Sequence, residues 1–154
     1  MTFLNVVEIE SALISLAGAY PSISQLITLP FFTVEGRQSH ALRIGTGSVC
    51  PKTAVLIISG AHAREWGGPD ICINFATDLL EAYTMGTGLV YGGTSYTAAE
   101  IKSIVERLDV RMAAADIELE SLQEPGQVLV VTGNSGCIQV GRNVLVSLRL
   151  IRCA

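Results

Sequence analysis

The chain has 154 residues and is poor in most of what would mark a specialised class. It has only two histidines, His40 and His62, so a site built mainly from imidazoles is excluded. Its four cysteines, Cys50, Cys72, Cys137 and Cys153, form no C-x-x-C pair, which argues against a cysteine-based metal site and against a small disulfide scaffold; they read as free thiols or buried apolar fillers. No apolar run approaches the roughly 20 residues of a membrane span. Basic charge is scarce: a net charge of −4 and a pI near 5.1 argue against a nucleic-acid-binding surface. The first residues, Met1 to Asn5, place no basic region ahead of an apolar stretch. No secretory signal is visible, and by itself the chain points to the cytoplasm. The Gly-rich stretch from Met85 to Ser95 lacks the framing and the lysine of a phosphate loop and reads as an ordinary loop.

What is present is apolar. Almost half of the residues are hydrophobic and the mean hydropathy is +0.47, so the chain is not disordered, and its length suits one domain with a substantial core. Its pivot is residues 54–66. Ala54 to Ile58 is a continuous, β-branched-rich run, the pattern of a strand buried on both faces. Ser59, Gly60 and Ala61 end it. His62, Arg64, Glu65 and Trp66 then arrive together, and a helical pattern starts after Gly67-Gly68-Pro69. A polar cluster where a buried strand empties into a helix sits where open α/β sheets bind ligands. His62 and Glu65, three apart, can turn an imidazole nitrogen and a carboxylate toward one point. That donor pair suits Zn²⁺, which in a catalytic site needs a third protein ligand and an open position. Arg64 offers a forked cation to a carboxylate or carbonyl. A bare H-x-x-E also arises by chance, and a histidine at a strand end is commonly only hydrogen-bonded, so spacing alone leaves both readings open.

The flanking elements predict an α/β fold with a mixed sheet. Asn5 and Glu8 give a capping signal for a helix over 6–19, with Val6, Ile9, Leu13, Leu16 and Ala17 on its apolar face and Gly18 and Pro21 at its end. Strands are expected over 25–34 and 40–46 around a Glu35-Gly36-Arg37 turn. Pro69 and Asp70 suit the first turn of a second helix, over 69–83. Thr97 and Glu100 cap a third, over 97–107, and a strand starts at Leu108. In the tail, Ile117–Leu122 alternates, Gln127–Thr132 and Cys137–Val140 flank a Gly133-Asn134-Ser135-Gly136 turn, and Asn143–Ile151 alternates, predicting a β-rich segment.

The string Gly60-Ala61-His62-Ala63-Arg64-Glu65-Trp66 resembles the zinc-binding segment of metallocarboxypeptidases of the carboxypeptidase A type. Glu8-Ile9-Glu10-Ser11-Ala12-Leu13, Tyr20-Pro21, Glu35-Gly36-Arg37, Ala41 to Gly45 and Asp70 to Ala76 are similar to the opening of that catalytic domain, in order. The resemblance covers about residues 3–110 and implies hydrolysis of C-terminal peptide bonds, with peptide or protein C-termini as substrates. It also implies an α/β/α fold and one zinc ion held by His62 and Glu65, with Arg64 binding substrate. Resembling enzymes are often secreted. The resemblance stops at Arg111-Met112-Ala113-Ala114-Ala115-Asp116, where the family has Asn-Pro-Asp-Gly. The family's third ligand is a later histidine, and none follows His62. Its glutamate base has no counterpart among Glu118, Glu120 and Glu124, so no catalytic residue is assigned.

His40 begins a strand and is not a ligand position in the family. The division expected is therefore 1–112, a carboxypeptidase-like portion, and 113–154, a β-rich tail packed on the same sheet. That tail is either a replacement of the rest of the domain or the product of altered splicing or reading frame. Zinc is expected to be weak or absent in this chain, with little or no activity. The alternative is a non-catalytic α/β peptide- or metal-binding module that keeps the motif as a relic. Nothing in the sequence fixes the oligomeric state.

Overall fold

The computed structural model describes residues 3–33, 35–47, 52–60, 66–114, 128–134 and 137–141. In chain order they form α1 (Val6–Ala19), β1 (Ser24–Phe32), β2 (Gln38–Ile44), β3 (Thr53–Ser59), α2 (Gly67–Met85), β4 (Leu89–Tyr91), β5 (Thr94–Tyr96), α3 (Ala98–Arg107), β6 (Leu108–Ala114), β7 (Val128–Asn134) and β8 (Cys137–Gly141). The expected alternating segments at 117–122 and 143–151 lie outside the described residues.

Six strands make one mixed sheet in the order β1-β2-β6-β3-β7-β8. β3 runs parallel to both neighbours, β6 and β7, and the outer pairings are antiparallel. The apolar 54–58 run thus lies inside the sheet, but its two faces differ: Leu56 and Ile58, on one face, are 3% exposed, while Val55 and Ile57, on the other, are half-buried. β7 and β8 belong to this same sheet, hydrogen-bonded along β3 from Ala54↔Val128 to Ile58↔Thr132.

The strands sort their side chains by period two. Leu42 and Ile44 of β2 and Val110 and Met112 of β6 join Ile9 and Leu13 of α1, Cys72, Ile73, Ala76, Leu79 and Leu80 of α2, and Ile101 and Val105 of α3 in the main core. Leu29, Ala41 and Ala113 form a separate cluster on the opposite face. That second face also carries charge: Asp109 is fully buried, and Arg43 and Arg111 are each 7% exposed. Arg43 Nε donates to Asp109 Oδ1 at 2.6 Å, and Arg111 Nε donates to Oδ2 at 2.8 Å.

The helix ends follow local chemistry. Asn5 Oδ1 accepts from the Val7 and Glu8 amides, and Glu8 accepts from the Asn5 amide, so the expected capping box forms. α1 runs through Gly18, expected to mark its end, and stops at Ala19; the Tyr20 amide donates to Leu16 O. α2 closes on left-handed Gly86 (φ 67°), with Gly86 N–H to Tyr83 O and Thr87 N–H to Ala82 O, a Schellman pattern. The Thr97–Glu100 box starts α3.

The Gly-rich stretch is not an ordinary loop. It is a β4–β5 hairpin whose two turn residues, Gly92 and Gly93, both have positive φ, 56° and 80°. A two-residue turn with both residues left-handed matches the twist of paired strands, and the double glycine supplies it without steric cost. Among the described residues no helix is long and apolar enough to cross a membrane.

Candidate metal centre

The motif joins the carboxyl end of β3 to the amino end of α2. β3 finishes at Ser59, Gly60 follows with φ 74°, and α2 starts at Gly67 after Trp66. His62, Arg64 and Glu65 fall in the 61–65 link, outside the described residues. The end of β3 is buried. Ser59 is 4% exposed, and its hydroxyl lies against Cys72 without a well-formed hydrogen bond. Burial pushes the Cys72 thiol pKa up, with the Ser59 hydroxyl pulling the other way. On the far side, the Trp66 side chain does not cap the start of α2, Pro69 contributes no amide hydrogen, and Asp70 puts a carboxylate at the positive end of the helix dipole.

His40 lies at the same end of the sheet. Ser59 pairs with Ala114 of β6, and the β2–β6 register that begins at Ala41↔Ala113 carries His40 to the following row. β6 stands between them, so His40 is two strand spacings from β3, about 10 Å. Its ring is engaged: Nδ1 is 2.6 Å from Glu10 Oε2, and Glu10 Oε1 accepts the His40 amide at 3.3 Å. Among the described residues, no group of three or more His, Cys, Asp or Glu side chains is arranged to hold a metal ion.

The sequence pattern of the zinc carboxypeptidase family matches residues 9–113, more than half of the chain. The chain belongs to the zinc carboxypeptidase family. The Inactive metallocarboxypeptidase ECM14 of Ajellomyces dermatitidis is 37% identical over 75 residues, which is 47% of this chain and 12% of that protein; the protein of the same name from Blastomyces gilchristii matches equally. This chain therefore spans about an eighth of the length of the curated relatives it matches.

Solved structures agree on the fold. Thrombin activatable fibrinolysis inhibitor superposes with a TM-score of 0.59 at 19% identity, over 74% of this chain and 25% of that one. Carboxypeptidase A from Helicoverpa armigera gives 0.57 at 18%, over 74% and 24%. The metallo-carboxypeptidase from Burkholderia cenocepacia gives 0.55 at 19%, over 73% and 26%. All three share the mixed α/β architecture, and this chain covers about a quarter of each.

Two features escaped the sequence reading. The Glu10–His40 pair joins residues 30 apart, and its only trace was a glutamate beside the apolar stripe of α1. The Arg43–Asp109–Arg111 cluster left a clearer one: opposite charges at alternate positions of two strands that are otherwise apolar, a pattern that demands pairing if both strands are buried.

Proposed function

We propose that this chain carries the part of a carboxypeptidase-type domain that begins a zinc site, with His62 and Glu65 as two ligands and Arg64 as a contact for a peptide C-terminus. The observation that carries the reading is that His-x-x-Glu directly follows a central strand with parallel neighbours on both sides, in a chain of the zinc carboxypeptidase family. An imidazole and a carboxylate have the right donor chemistry for zinc, and in such sites the metal polarises the scissile carbonyl and activates a bound water. The donor set is incomplete. A catalytic site takes three protein ligands, no histidine follows His62, and His40 is paired with Glu10. No hydrolytic step is therefore assigned to this chain. Residues 1–112 form the carboxypeptidase-type portion, and 113–154 are a tail of separate relationship that adds β7 and β8 to its sheet.

The engagement of His40 favours a second reading, a non-catalytic α/β module that binds peptide or metal through a relic motif. The name of the Ajellomyces relative, an inactive metallocarboxypeptidase, points the same way. Purified chain with added zinc and a peptide ending in an aromatic or aliphatic residue tests the proposal. The expected outcome is little or no release of the terminal residue, because catalytic groups that act as a unit lose orders of magnitude together. Turnover abolished both by a chelator and by His62→Ala would show that a third ligand exists in the tail.

A further inference from the structure

The described helices cover only one face of the six-stranded sheet. α1, α2 and α3 all pack on the face that carries Leu42, Ile44, Val110 and Met112. The β4–β5 hairpin leans on α2, with the Tyr91 ring against Phe75, so it belongs to the same layer. Yet the other face is buried too. Leu56 and Ile58 of β3, in register with Arg111 and Ala113, are each 3% exposed, and Asp109 has no exposure. Even the long side chains of Arg43 and Arg111, which would reach water on an open face, are buried there. Burial of that kind needs a cover. The face also carries charge: two guanidiniums share the one carboxylate of Asp109, which leaves one positive charge in excess among the described residues. A buried charge is costly unless it is balanced.

We propose that this second face is the docking surface for residues 115–127, which lie outside the described residues, and that their carboxylates balance the Arg43–Asp109–Arg111 cluster. Three observations converge on that segment. The first is handedness. β3 connects to its parallel neighbour β6 through α2 and α3, over the first face and toward β1. β6 connects to β7, which is parallel to it because both are parallel to β3, by stepping the other way past β3. Crossovers between parallel strands are almost always right-handed. Two right-handed crossovers that step in opposite directions use opposite faces. The second is reach. Ala114 pairs with Ser59 and Val128 with Ala54, so the chain must return about 17 Å along the sheet and about 10 Å across it. Thirteen residues span about 43 Å when extended, which is ample. The third is charge. Residues 115–127 hold Asp116, Glu118, Glu120 and Glu124 and no basic residue. The other stretch of that length outside the described residues, 142–154, holds three arginines and no acidic residue. Only the first has the sign that the cluster needs, and its Ile117, Leu119 and Leu122 are apolar partners suited to Leu56 and Ile58.

The test is a cycle of urea melts on the full chain. Asp116→Asn, Glu118→Gln, Glu120→Gln and Glu124→Gln are combined in one variant, which is made both in the parent and beside Arg111→Met. The second background leaves Arg43 and Asp109 one to one. The combined variant is expected to lower the midpoint by about 1 M or more in the parent. Beside Arg111→Met the loss should be less than half as large, because the charge to be balanced is gone. The matching neutralisation Arg142→Gln, Arg149→Gln and Arg152→Gln is expected to stay near the parent midpoint. A second measurement does not depend on stability. Leu119→p-benzoylphenylalanine, photolysed in the folded chain and mapped by mass spectrometry, is expected to cross-link to β3 or β6 at Leu56, Ile58 or Arg111. No midpoint loss in the parent, equal losses in the two backgrounds, or cross-links to the helices in place of those strand positions would overturn the proposal. Neither readout involves metal, so the outcome is separate from that of the zinc reading.

Discussion

Asp109 is the most consequential single side chain in the described sheet. It has no exposure, and one carboxylate oxygen serves Arg43 while the other serves Arg111, at N···O distances of 2.5–2.8 Å. Asp109→Ala would deprive two guanidiniums, each 7% exposed, of the anion they share. Removing one partner of a buried pair costs about 3–5 kcal/mol. That is a large part of the roughly 5–15 kcal/mol that holds a domain folded. With a urea slope near 2 kcal/mol per molar, the midpoint should fall by about 2 M. The control is Glu35→Ala, which breaks the exposed Glu35–Arg37 pair and should cost under about 1 kcal/mol. Replacing all three buried groups at once, by Arg43→Met, Asp109→Leu and Arg111→Met, should recover most of the loss, because the desolvation cost disappears with the charges. Equal midpoint shifts for Asp109→Ala and Glu35→Ala would refute the reasoning.

Three further outcomes follow from local chemistry. Thr97→Ala should destabilise α3 by about 1 kcal/mol in urea melts, as the loss of a cap does. Hydrogen bonds from the Thr97 amide, then its hydroxyl, hold the Glu100 carboxyl below its ordinary pKa. A depressed folded value means the stabilisation is present above the unfolded carboxyl range and is lost as pH falls through the folded value, so Glu100→Gln should flatten the stability profile on the acid side. Ser59→Ala should be neutral or raise the melting temperature, since among the described residues the buried hydroxyl makes no well-formed hydrogen bond; a drop of several degrees would show that it has a partner.

Much of this fold was legible because each signal was local. The Asn5–Glu8 and Thr97–Glu100 boxes announce helix starts through side chains that satisfy nearby amides, and both form. The unbroken 54–58 run announces an interior strand, and β3 lies inside the sheet, with one face buried and the other half-buried. The Gly92-Gly93 hairpin is hidden when the stretch is compared only with a phosphate loop, whereas two glycines between Val90-Tyr91 and Thr94-Ser95 are themselves a turn signal. The Glu10–His40 pair was not legible, because nothing local records which helix will lie over which strand. For the site, the motif and the family resemblance name the residue types and put them after β3 in the chain, but His62, Arg64 and Glu65 lie outside the described residues, so their geometry is left to experiment. What no spacing rule supplies is a third ligand from elsewhere in the chain.

The central claim is that His62 and Glu65 form an incomplete zinc site at the carboxyl end of β3. Calorimetric titration of zinc into the metal-free chain, beside His62→Ala and His40→Ala, tests it most directly. The account predicts one weakly bound ion that is lost in His62→Ala and kept in His40→Ala. Tight binding that survives His62→Ala, or no binding by the parent chain, would contradict it.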